Sequence, residues 1–127
     1  MKIEHIAFNV EDPIETARWY VEHLEMSIVK KVEEPPQMHF LADSSGSVMI
    51  ELYNNPASRV PDYDAMDPLT LHLAFCSENP DQDRDRLLDA GASLVSDETL
   101  KDGSRLVMLR DPWGLAIQLC KRSEPML

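Results

Sequence analysis

The chain is written twice. "EHIAFNVEDPIETARWY" (4–20) and "LHLAFCSENPDQDRDRL" (71–87) align at an offset of 67 residues, with His5/His72, Ala7/Ala74, Phe8/Phe75, Glu11/Glu78 and Pro13/Pro80 identical. Carried on without gaps, the same offset lays "VMIELY" (48–53) over "LAIQLC" (115–120). Ile50 then meets Ile117, Leu52 meets Leu119, and Glu51 meets Gln118. A repeat fixes the architecture more tightly than any single motif, because whatever one copy folds into the other must also adopt.

Each copy reads as a strand, a helix and three further strands. A first strand (3–10; 70–77) runs into an Asp/Glu/Asn/Pro segment that opens a helix, with Pro13 and Pro80 at the first turn. The helices are expected over 13–24 and 80–90, the second ending at Gly91. In the first helix Ile14, Ala17, Val21 and Leu24 form the apolar stripe, with Trp19 and Tyr20 alongside. Strands follow over 26–33, 37–42 and 47–53, and again over 93–97, 104–110 and 115–121. Asp43–Gly46 and Asp111–Gly114 are the matching hairpin turns. The fold class is therefore α+β: two βαβββ modules in tandem with pseudo-twofold symmetry, helices outside and concave mixed sheets enclosing a cavity. One domain over 1–127 is expected, made of module one (1–55), a linker with three prolines (56–69), module two (70–122) and a short tail (123–127).

Alternation along the strands sorts the side chains. Ile6, Phe8 and Val10, with Val48, Ile50 and Leu52, are expected to face the helix; the second copy uses Leu71, Leu73 and Phe75 in the same way. His5, Glu51, His72 and Gln118 then hold equivalent positions on the opposite faces. Two imidazoles, a carboxylate and an amide oxygen suit a divalent metal. The alternative is four core polar groups satisfied by hydrogen bonds, although a carboxylate between Ile50 and Leu52 is costly to bury unpaired. Asn9, Met49, Tyr53, Asn55, Cys76 and Cys120 are the candidate substrate-contacting residues. His23 reads as solvated, and His39 as either lining the cavity or facing solvent.

Composition excludes several classes. Twelve Lys and Arg against 23 Asp and Glu give a net charge of −11, which repels nucleic acid and anionic membranes. With 43% hydrophobic and 28% charged residues the chain is globular rather than disordered. Two cysteines in apolar runs make no disulfide framework and fit a reducing cytoplasm. Glu4 and His5 stand where a signal peptide needs apolar residues, and no stretch reaches transmembrane length.

"HIAFNVEDP", "WYVEHLEM", "MIELY", "LHLAF", "LLDAGA" and "RDPWGLAIQLC", in that order, resemble the vicinal oxygen chelate superfamily over nearly the whole chain. That superfamily includes glyoxalase I, methylmalonyl-CoA epimerase, extradiol dioxygenases and the fosfomycin- and bleomycin-resistance proteins. The resemblance implies one divalent ion per site (Zn, Ni, Co, Mn or Fe) held by His5, Glu51, His72 and Gln118. It also implies a homodimer and a small-molecule substrate. Where bacterial glyoxalase I shows His, Glu, His, Glu and the epimerase His, Gln, His, Glu, this chain shows His, Glu, His, Gln. Exchanging the two modules turns that order into the epimerase's. The implied activity is that of a lactoylglutathione lyase-like or epimerase-like enzyme, working on a vicinal-oxygen, carbonyl-type substrate through a metal-stabilised enediolate, with Glu51 as the catalytic base. The alternative is a metal-free binding protein of the bleomycin-resistance kind. Iron-dependent oxygenation ranks last, since its carboxylate normally stands where Gln118 is. For glutathione, basic residues are missing at Asn9 and Pro68; Asn55 matches a polar contact, and Arg59, Arg105 and Arg110 are the available cations.

Overall fold

The computed structural model describes residues 1–126, so the last residue of the expected tail lies outside the described residues. Contacts divide the chain into two units, Met1–Pro61 and Asp62–Leu127. The first unit contains β1 (Ile6–Asn9), α1 (Pro13–His23), β2 (Ser27–Lys31), β3 (His39–Ala42) and β4 (Met49–Tyr53). The second contains β5 (Leu73–Cys76), α2 (Pro80–Asp89), β6 (Ser93–Thr99), β7 (Arg105–Arg110) and β8 (Ala116–Lys121). Each unit forms a four-stranded mixed sheet, ordered β1-β4-β3-β2 and β5-β8-β7-β6, so the βαβββ repeat is present in both. No helix among the described residues is long and apolar enough to cross a membrane.

The register shows where the gapless repeat holds. Ala7 pairs with Glu51 and Ala74 with Gln118 in the parallel pairs, 67 residues apart in both strands. The inner antiparallel strand is displaced by one residue: Leu41 pairs with Ile50 as Leu109 pairs with Ile117, an offset of 68. The outer strand is displaced the other way, Ile28 matching Leu94 at 66. Both outer strands carry a bulge at the same place, between Ile28 and Lys30 and between Leu94 and Ser96. A repeated irregularity of this kind is inherited design rather than local accident.

The helices begin where the sequence places them. Asp12 accepts a hydrogen bond from the Glu15 amide and Asn79 one from the Gln82 amide, satisfying amides that the first helical turn leaves unpaired. Gly91, at φ +95°, ends α2 in the left-handed region. The buried stripe of α1 differs from the expected one: Pro13, Thr16, Ala17, Trp19 and Tyr20 are buried, while Val21 is exposed. Thr16 tolerates burial because its hydroxyl donates to the Asp12 carbonyl at 2.7 Å. Ile6 and Val48, expected to cover the helix, are also exposed. Both stand at the same end of the sheet, Ile6 opposite Ile50 and Val48 two residues before it, outside the apolar cluster of Phe8, Leu41, Ile50 and Leu52.

In the second unit Leu87, Val107, Leu109, Ile117 and Leu119 form the core. On the α2 side, Arg84 and Arg105 share Asp97 and Asp81. The two guanidinium groups hold the Asp97 carboxyl below the ordinary carboxylate range. Arg110 donates to the carbonyls of Tyr63, Met66 and Gly114 at 2.7, 2.7 and 2.8 Å. Of the three arginines raised as glutathione contacts, Arg105 and Arg110 are thus engaged within their own unit.

Candidate functional site

On the sheet face turned away from α1, the first unit gathers His5, Glu51 and Phe40. Glu51 lies on the inner strand β4, with Ala7 of β1 on one side and Phe40 of β3 on the other. Ala7 has only a methyl group, which leaves His5 room to reach across. The His5 Nε2 stands 3.3 Å from the Glu51 Oε2, with side-chain exposures of 33% and 12%. Phe40 meets the imidazole edge-on, ring centroids 5.5 Å apart and planes at 89°. The other imidazole nitrogen, Nδ1, is bonded to the Glu4 carboxylate. That bond raises the His5 pKa above its ordinary value; desolvation opposes it, and the charges of Glu4 and Glu51 add to it.

The second unit carries the matching pair. His72 Nδ1 lies 2.8 Å from the Pro68 carbonyl oxygen. A carbonyl can only accept, so Nδ1 carries the proton and Nε2 presents its lone pair. A metal-ligating histidine is oriented in this way by its neighbours. Gln118 lies between Ala74 and Met108 on the face away from α2, and its Oε1 accepts from the Cys120 thiol at 3.1 Å. Both histidines sit one residue before their strands rather than within them, since β1 starts at Ile6 and β5 at Leu73.

The donor set can be tested for fit within the first unit. With metal–nitrogen and metal–oxygen bonds of about 2.0–2.2 Å, two ligands on one ion stand roughly 3.0–3.4 Å apart. The 3.3 Å between His5 Nε2 and Glu51 Oε2 falls in that interval. Among the described residues, no group of three or more His, Cys, Asp and Glu side chains gathers as a metal shell. His5 and Glu51 are the two candidate ligands that the first unit brings to such a distance.

The remaining candidates separate by role. Asn9 is a clasp: its Nδ2 donates to the carbonyls of Ser58 and Asn55 at 2.9 and 3.3 Å, and its Oδ1 accepts from the Asn55 amide at 2.8 Å. Asn55 in turn accepts from the Ala57 amide, so both residues tie the segment after β4 to β1. Asn9→Ala is expected to cost about 1–3 kcal/mol of stability, the range for stranding buried backbone groups. Urea unfolding measures this, while ligand affinity should be unaffected. Met49 and Tyr53 are half-buried on the Glu51 face. Cys76 is exposed and Cys120 buried. His39 neither lines that face nor meets solvent: it is buried on the helix side beside Leu52, its Nδ1 bonded to the Gln37 carbonyl. His23 packs against Trp19 at 5.3 Å. Phe40 and Met108, flanking Glu51 and Gln118, were missed in the sequence, although alternation along β3 and β7 was the signal that could have found them.

A family model described as the Glyoxalase/Bleomycin resistance protein/Dioxygenase superfamily matches residues 2–119. No curated protein matches the sequence significantly. Among solved structures, the chain is similar to a glyoxalase family protein from Bacillus cereus, with 20% identity, a TM-score of 0.76, and 94% of this chain and 93% of that one covered. A member of the same superfamily from Sphaerobacter thermophilus gives 15% identity and a TM-score of 0.74, covering 96% and 98%. An antibiotic binding protein from a Streptomyces species gives 21% and 0.68, covering 94% and 96%. At these identities the structures establish the fold.

Proposed function

The chain belongs to the glyoxalase/bleomycin resistance protein/dioxygenase superfamily, and from that membership we propose that it is a divalent-metal-dependent lyase, isomerase or epimerase acting on a small carbonyl compound with vicinal oxygens. The observation that carries this reading is the ligand-like spacing of His5 Nε2 and Glu51 Oε2, 3.3 Å. His5, Glu51, His72 and Gln118, from equivalent positions of the two repeats, are the residues that would hold the ion. When bound, the ion supplies Lewis-acid polarisation of the substrate oxygens.

The chain's own residues do the rest. Glu51 is the one carboxylate among the four, and it accepts and returns the proton on the carbon next to the carbonyl. Its side chain is largely buried beside Phe40, which limits its contact with water. Gln118, its Oε1 already accepting from Cys120, has its amide N–H groups available to donate to a substrate oxygen. The reading includes a homodimer as the working form.

A second reading is sequestration of a small molecule without turnover. The net charge of −11 favours it for a cationic ligand. Metal analysis separates the two. Untagged protein incubated with zinc, nickel, cobalt, manganese or ferrous iron is expected to retain about one ion per site after desalting, and His5→Ala to lose it. Retention of none by the unaltered protein would overturn the metalloenzyme reading and leave sequestration.

A further inference from the structure

We propose that Cys76, Cys120 and Met108 form a second, sulfur-lined cation site in the second unit, selective for a soft monovalent ion of the Cu(I) class. Cys76 and Cys120 are register partners on the parallel strands β5 and β8, so their side chains leave the same face of the sheet side by side. Adjacent strands run about 4.8 Å apart, and the Cys120 thiol now donates to the Gln118 Oε1 at 3.1 Å, from which it would turn to share an ion with Cys76. In a three-coordinate site with metal–sulfur bonds of about 2.3 Å, two sulfurs stand about 4.0 Å apart, a small rotation of the side chains from the strand spacing. A disulfide would instead need the Cβ atoms drawn in to about 3.8 Å. The spacing therefore suits a bridging ion better than a bond between the sulfurs.

Met108 supplies the third sulfur. It pairs with Gln118 on β7, two residues from Leu106, the partner of Cys120. It thus lies on the same face and diagonal to Cys120, within reach of a long thioether side chain. Met108 and Cys120 are buried, at 4% and 8% exposure, whereas Cys76 is exposed and gives the ion a way in. Thiolates and thioethers prefer Cu(I), while the nitrogen and oxygen donors of His5 and Glu51 prefer harder ions.

The repeat sharpens the inference. In the first unit the corresponding positions are Asn9, Tyr53 and Phe40, paired in the same register and carrying no sulfur. All three sulfurs are particular to the second copy, so the shared fold does not require them.

The test is an anaerobic titration of the reduced, full-length protein with Cu(I), against bicinchoninate as competing chelator. The unaltered protein is expected to hold about one Cu(I) per chain against the competitor. Cys76→Ser, at an exposed position, should weaken binding by at least about 100-fold and Met108→Leu by at least about tenfold, since loss of an outer-shell partner alone costs about 10–100-fold. His5→Ala should change nothing, which keeps this site distinct from the one proposed above. Circular dichroism verifies that each variant is folded. Cu(I) held as tightly by Cys76→Ser, or surrendered completely by the unaltered protein, would overturn the proposal.

Discussion

Gly114→Ala is expected to destabilise the protein by about 3 kcal/mol or more, combining a strained backbone with an overpacked contact. Gly114 closes the turn between β7 and β8, its amide donating to the Asp111 carbonyl at 3.0 Å, with φ at +91°. A Cβ there would stand 2.6 Å from the Asp64 carboxyl carbon and 2.7 Å from the Asp64 backbone nitrogen. The carboxyl could swing aside, but the backbone nitrogen could not. Its segment is held by Arg110, which binds the carbonyls of Tyr63 and Met66, and by the burial of Tyr63. The matching turn of the first unit is the control. Gly46 has φ +68° and nothing within 4 Å of its would-be Cβ, so Gly46→Ala should cost only about 1 kcal/mol. Urea unfolding of the two variants side by side decides the matter. Equal losses would mean that the contact with Asp64 contributes nothing.

Glu51→Gln is expected to lower turnover by about 10²–10⁴-fold, the contribution of a positioned general base. The substitution keeps shape and hydrogen-bonding reach while removing the charge, so a folded but inactive variant is the expected product. A direct readout is deuterium uptake at the carbon next to the carbonyl of small hydroxy ketones, followed by NMR in D2O with metal-loaded protein. Glu51 and Gln118 occupy the same register position in the two sheets, opposite Ala7 and Ala74. Undiminished exchange in Glu51→Gln alone would remove Glu51 from the proton path.

The repeat, the element order and the capped helix starts were legible because each leaves a short-range mark. Identities, alternation and an Asp or Asn followed by Pro13 or Pro80 all fall within a few residues. The gapless offset read β1, α1 and β4 against their copies correctly, and slipped only where loop lengths differ by a residue, at β2 and β3. What was hidden depends on partners far along the chain. Nothing in the sequence near Asn9 shows its bonds to Asn55 and Ser58, nor near Arg110 those to Tyr63 and Met66. His39 follows the same rule, since only the register with Leu52 shows which face it takes. That His5 and Glu51 share a face was legible from the alternation along their strands; the distance between them was not.

The paired bulges have a consequence for how the protein survives at high concentration. The outer strands β2 and β6 are sheet edges, and β2 is exposed along its whole length. A flat, regular edge is a template on which another chain can add a strand and begin to aggregate. The extra residue at Val29 and at Val95 breaks the ladder and increases the twist at each edge. Lys30 and Lys31 place charge on one rim, and Asp97 and Glu98 on the other. Both edges are thereby guarded against fibril growth by the same device, kept in each half of the duplication.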